Sequence, residues 1–194
     1  MAVVYAPITG QTWSLDCYCN ITSCPCGSLS AGLGCNSNHI CKHCPVSGSS
    51  SPIDVGGASA GAPLYLYTDC QVQSVVISQF TGICPGQSNS LDWAQTLQVD
   101  LWSGKNATGT KYGSVIYHHV AGRIASGTYN NPDPTGCLYN HYYSLQIGSF
   151  TTDCRCGCYS GIHVHMQRIA GSTSVSTCNG STTGGGGGTV IYSY

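Results

Sequence analysis

Apolar residues along this chain recur at alternate positions or in short β-branched and aromatic runs, and helical spacing is nearly absent. Seven segments carry the pattern: Pro63–Tyr67, Gln71–Gln79, Gln95–Trp102, Ser114–His119, Tyr142–Ile147, Gly161–Arg168 and Thr189–Tyr194. Successive side chains on a strand face opposite ways, so alternation marks one buried and one polar face. Gly and Ser clusters separate the segments at the short intervals of antiparallel turns. The pattern predicts a mainly β, antiparallel domain with little helix. Residues 17–51, crowded with Cys, Gly, Ser and Asn, have no period and predict a stapled coil. Tyr129–Cys137 predicts a loop from its Asn, Pro, Asp and Gly content. Gly184–Gly188 predicts a flexible hinge. The apolar strand after it is suited to complete a sheet, in this molecule or in a neighbour. The expected organisation is one domain over 1–194: the coil at 17–51, a β core at 52–170, and the hinge and terminal strand at 171–194.

Composition changes this picture in one respect, the compartment. The 194 residues include 14 Cys, and only 7% are charged, against roughly 25% in ordinary globular chains. So many thiols would need metals in a reducing cytosol. The C-x-C spacings at Cys17, Cys19, Cys24, Cys26 and Cys154–Cys158 fit the two-to-four-residue spacers of zinc ribbons poorly. Disulfides, and hence a secreted protein that starts after processing, are the expectation. Seven cysteines lie between Cys17 and Cys44 and seven from Cys70 onward. An odd number in each half means that full pairing must tie the coil to the β core. The net charge of −1 argues for no nucleic-acid partner. No run approaches the roughly 20 apolar residues of a membrane helix. Sequons at Asn20, Asn106 and Asn179 are candidate glycan acceptors.

Chemistry concentrates in Gly161-Ile-His163-Val-His165-Met-Gln. On a strand, His163 and His165 share one face while Ile162, Val164 and Met166 take the core face. Two adjacent imidazoles suit a metal ligand with a neighbouring acid–base group. Four further pieces precede them in order: Ala6-Pro-Ile-Thr-Gly10; Asp54, followed by Gly61-Ala-Pro-Leu-Tyr65; Tyr117-His-His119-Val; and Leu145-Gln-Ile-Gly148. Over roughly residues 5–170 this order resembles the lysostaphin-type zinc endopeptidases, which cleave Gly-containing cell-wall peptides. The resemblance implies their β fold. It also implies zinc held by Asp54 and His165, with His163 as general base or transition-state stabiliser and His119 as its partner.

One family position departs. Ser50 stands four residues before Asp54, where the family has its first zinc-ligand histidine, and a serine hydroxyl is a poor zinc ligand. His39 or His43 is a candidate substitute from the coil. His118, by alternation, is expected to face away from His119. Two functions are therefore carried forward. One is a non-catalytic structural or binding descendant that self-assembles through its terminal strand. The other is an active extracellular zinc endopeptidase.

Overall fold

The computed structural model describes residues 1–8, 11–17, 48–82, 94–132, 143–152, 162–173, 180–184 and 190–194, with the backbone alone at 11–17, 50–52, 173 and 180–184. The chain is mainly β, and its strands form two antiparallel sheets. One runs in the order β12 (Ser172–Thr173), β14 (Val190–Ser193), β1 (Val3–Tyr5), β4 (Pro63–Thr68), β10 (Tyr143–Phe150), β8 (Val120–Ala121). The other runs β13 (Gly180–Gly184), β2 (Gln11–Cys17), β3 (Ser50–Gly56), β11 (His163–Ile169), β7 (Lys111–His118), β6 (Leu97–Trp102), β5 (Ser74–Gln79), β9 (Gly127–Asn130). All seven predicted segments carry a strand.

Alternation explains the packing. In β6, Leu97, Val99 and Leu101 are fully buried while Gln98, Asp100 and Trp102 are not. These join Val75, Ile77, Val115, Tyr117, Val164 and Met166 of the same sheet, and Val4, Leu64, Leu66, Ile147 and Tyr192 of the other, in one core. From Ser114 to His118, β7 is buried on both faces. Its second face, the one that pairs with His165, is therefore no ordinary solvated surface.

Three sequence expectations need correction. The proposed coil loses both ends, because Cys17 closes β2 and Ser50 and Ser51 open β3, the two being paired. Residues 18–47, with His39 and His43, lie outside the described residues. Tyr129 and Asn130 belong to strand β9, bonded to β5; backbone pairing with Val75 and Ser74 overrides their turn chemistry. Gly184 ends strand β13, paired with Gln11, and is not part of a hinge. The terminal strand, for its part, completes a sheet of this molecule, one of the two placements expected of it. β14 lies between β12 and β1, with Ile191 and Tyr192 fully buried. The free edge on which self-assembly was expected to rest is used inside the molecule.

Candidate metal and acid–base centre

The centre is assembled on the second face of β3, β11 and β7. Asp54 pairs directly with His165, and His165 with His118. Directly opposed residues of an antiparallel pair lie on one face, so register alone gathers Asp54, His165 and His118. His163, two residues from His165, joins them. His165 Nδ1 stands 2.5 Å from Asp54 Oδ1, donating to the carboxylate. His163 Nε2 lies 3.6 Å from Asp54 Oδ2.

His119 reaches the same place by a break in the strand. Its φ is 64°, in the left-handed region that histidine enters more readily than most residues. Strict alternation would put His118 and His119 on opposite faces. The left-handed step ends β7 at His118 and turns the second imidazole back. The rings of His119 and His163 pack edge to face with centroids 4.8 Å apart. His118 is not an outward neighbour, as alternation had suggested: it is buried, its ring 5.5 Å from that of His165.

Neighbours hold this step from both sides. A 2.9 Å hydrogen bond joins Thr96 Oγ1 and His118 Nδ1. The Val120 N–H donates to Gln95 O at 3.0 Å. Gly148 lets β8 approach β10: a Cβ there would run into the Val120 side chain and stand 2.6 Å from Ala121 O. The glycine of the Leu-Gln-Ile-Gly piece thus sets the position of the strand that follows His119.

Burial and charge set the protonation states. Burial pushes the Asp54 carboxyl up, but His165, through its charge and its hydrogen bond, with His163 and His119, outweighs this and holds it below the ordinary carboxylate range. His118 is pushed down to about 3, by burial first and then by His165, against a hydrogen bond that its ring donates to Gln167 and the charge of Asp54. His119 is lowered too, by burial and then by His163, His118 and His165. Both imidazoles are therefore neutral near pH 7.

The sign of the linkage follows. The unfolded chain binds a proton at His118 near pH 6.5, whereas the folded chain resists it down to about 3. Stability is full above 6.5 and is lost as pH falls through that window, with a limiting slope of about 1.4 kcal/mol per pH unit for each such histidine. In chelator, the unfolding midpoint of the protein is expected to drop steadily between pH 6.5 and 4, and His118→Gln is expected to flatten the slope. A wild-type midpoint constant over that range would contradict a neutral buried His118.

The structure thus gathers Asp54, His119, His163 and His165, four of the residues singled out by sequence; His39 and His43 lie outside the described residues. It adds His118, Thr96 and Gln167. Gln167 was within reach of the sequence, since it continues the His163–His165 alternation. Thr96 had no signal, because only the β6–β7 register brings it to His118. Ser50 opens β3 across from Arg168. Of the cysteines, Cys70 is disulfide-bonded. Among the described residues no helix is long and apolar enough to cross a membrane. Compared with known proteins, the chain matches no family model, no curated protein and no solved structure.

Proposed function

We propose that the chain is an extracellular metal-dependent peptidase on a lysostaphin-type β scaffold, with Gly-containing cell-wall peptides as its substrate class. The observation that carries this reading is the convergence of Asp54 on β3, His163 and His165 on β11, and His119 in the step that follows β7. Burying a carboxylate and several imidazoles in a sheet is a poor route to stability, because their desolvation offsets their attraction. Such clusters of shifted titratable groups mark functional sites. The competing self-assembly reading loses its donor strand to the molecule's own sheet.

The donor chemistry at Asp54 and His165 fits a divalent cation. An anionic oxygen and an imidazole nitrogen from neighbouring strands meet there at 2.5 Å, and the proton between them is the one a metal would displace. Among the described residues no group of three such side chains is arranged for a metal, so a third donor is required. Zinc bound by Asp54 and His165 would acidify a water and polarise a carbonyl. His163 Nε2, beside Asp54 Oδ2, is the atom placed to hold a proton or an oxyanion. His119, neutral and edge-on to His163, is the acceptor next in line.

Purified protein is expected to carry close to one zinc per chain by elemental analysis and to lose thermal stability on chelation. Zinc at background level would remove the enzyme reading. The chain would then stand as a non-catalytic binding or structural descendant, which Ser50 in place of the family's ligand favours.

A further inference from the structure

Near the end of β7 away from the histidines lies an open depression of about 710 Å³, with Gln71, Gln73, Ser103, Lys105 and Tyr112 among its lining residues. That volume suits a small-molecule site. Tyr112 and His118 lie near opposite ends of β7, about 20 Å apart at a rise of about 3.4 Å per residue. One wall is the turn that carries Lys105. Asn106 and Ala107 both have φ 56°, and successive left-handed residues other than Gly carry a steric penalty. Such strain concentrates at ligand sites, where the surroundings hold it in place. Here Asn106 N–H donates to Asn130 Oδ1 and Asn130 Nδ2 to Asn106 Oδ1, each at 2.7 Å. Ala107 N–H donates to Ser74 Oγ at 3.0 Å, and Ser74 Oγ to Gly104 O at 2.6 Å. The backbone of Lys105 is thus fixed while its side chain is exposed. Lys111 is paired with Asp100, Arg123 donates to Phe80 O and Thr96 O, and Arg168 to Ala170 O and Gly171 O. Among the described lysines and arginines, Lys105 alone offers its charge to solvent without such a partner.

We propose that this depression binds a carboxylate-bearing sugar unit and anchors an acidic glycan away from the catalytic centre. The Lys105 ammonium supplies a charge-assisted hydrogen bond to the carboxylate. Tyr112 packs on the core and also lines the depression, so its ring offers a fixed apolar surface to the C–H face of a pyranose. Sugar hydroxyls both donate and accept, and the remaining lining matches them. Gln73 Nε2 is held by Cys70 O at 2.8 Å, which leaves its oxygen to accept. Ser103 Oγ accepts from Thr110 N–H at 2.8 Å, which leaves its proton to donate. Asp69, beside the disulfide-bonded Cys70, turns its carboxylate to the backbone N–H groups of Val3 and Gln71, so it does not oppose an anion here. A single cation in a chain of net charge −1 suits one carboxylate, not a polyphosphate. The sugar site stands by itself. Its use as an anchor on the cell wall rests on the peptidase reading above, where a second contact with the same polymer would raise the effective concentration of substrate.

The test is a heteronuclear NMR titration of the whole chain in EDTA with tetragalacturonic acid, its methyl ester and tri-glutamate. Tetragalacturonic acid is expected to move the amide signals of Ser103, Lys105 and Tyr112. Methyl esterification or Lys105→Gln is expected to weaken binding by at least about 10-fold, the loss of one hydrogen bond to a charged group. Tyr112→Ala is expected to weaken it for both the acid and the ester. Lys105 is exposed, so Lys105→Gln decides the matter if Tyr112→Ala does not fold. No binding of tetragalacturonic acid, or wild-type affinity in Lys105→Gln, overturns the proposal. Equal binding of tri-glutamate overturns the sugar and leaves a general anion site. Binding in a protein that carries no zinc and cleaves no peptide supports the sugar site and removes the peptidase reading. Zinc and cleavage without tetragalacturonate binding remove the sugar site alone.

Discussion

Deleting residues 190–194 is expected to abolish cooperative folding. β14 is an interior strand of its sheet, bonded to β1 through Val3, Val4 and Tyr5 and to β12 through Ser172 and Thr173. It buries Ile191 and Tyr192 completely. Truncating one such side chain costs about 2–5 kcal/mol, and a domain has only about 5–15 kcal/mol in all. The strand also ties the two sheets together. Tyr192 Oη donates to Met166 O at 3.1 Å and Tyr194 Oη to Ser114 O at 2.9 Å. Gly113 is shaped to the last ring, since a Cβ there would stand 2.5 Å from Tyr194 Cδ1. Circular dichroism melts should show no transition for the deletion. Tyr192→Phe, which removes one hydrogen bond, should keep the transition and lose about 0.5–1.5 kcal/mol. A deletion variant that melts like wild type but no longer self-associates would return β14 to the role of a donated strand.

Cleavage of Gly-containing cell-wall peptides is expected to fall by about 10²–10⁴ in His119→Asn, the range of a lost acid–base group, with zinc content unchanged. Asn is the appropriate replacement because residue 119 sits at φ 64°, and Asn enters that region with little strain. Ala would add a backbone penalty to the chemical one. Asp54→Asn, by contrast, should lose metal and activity together. Undiminished turnover in His119→Asn would remove His119 from the chemistry. A wild type that cleaves no such peptide would remove the peptidase reading, whatever metal it binds.

Local pattern and long-range register divided the information in this sequence unequally. Alternation was enough for β6, where Leu97, Val99 and Leu101 face one way, and for β11, where His163 and His165 share a face. It failed at His119, because a single left-handed residue leaves no trace in hydrophobic periodicity. It failed at β9 and β13 because Gly-Thr-Tyr-Asn and Gly-Ser-Thr-Thr-Gly carry turn residues, and only pairing with β5 and β2 makes them strands. The β2–β3 pairing was invisible for the same reason: residues 16 and 54, opposite each other in the ladder, are 38 positions apart, and nothing in the intervening residues states that the two strands lie side by side. Four of the centre's residues were legible because each sat in a short motif. The residues that support them became legible only through the ladder.

The pairing of β1 with β14 also brings the two ends of the described chain together. Residues 2 and 194 exchange both backbone hydrogen bonds, Ala2 N–H to Tyr194 O at 3.0 Å and Tyr194 N–H to Ala2 O at 2.8 Å. A short peptide joining them would close the backbone into a ring without moving either sheet. The linear order of strands is thus one of several equivalent ways to thread this architecture, and it admits circular permutation. A permuted chain opened at the exposed Lys105–Ala107 turn would place β14 and β1 in one continuous stretch, and the two most sequence-distant strands would become nearest neighbours.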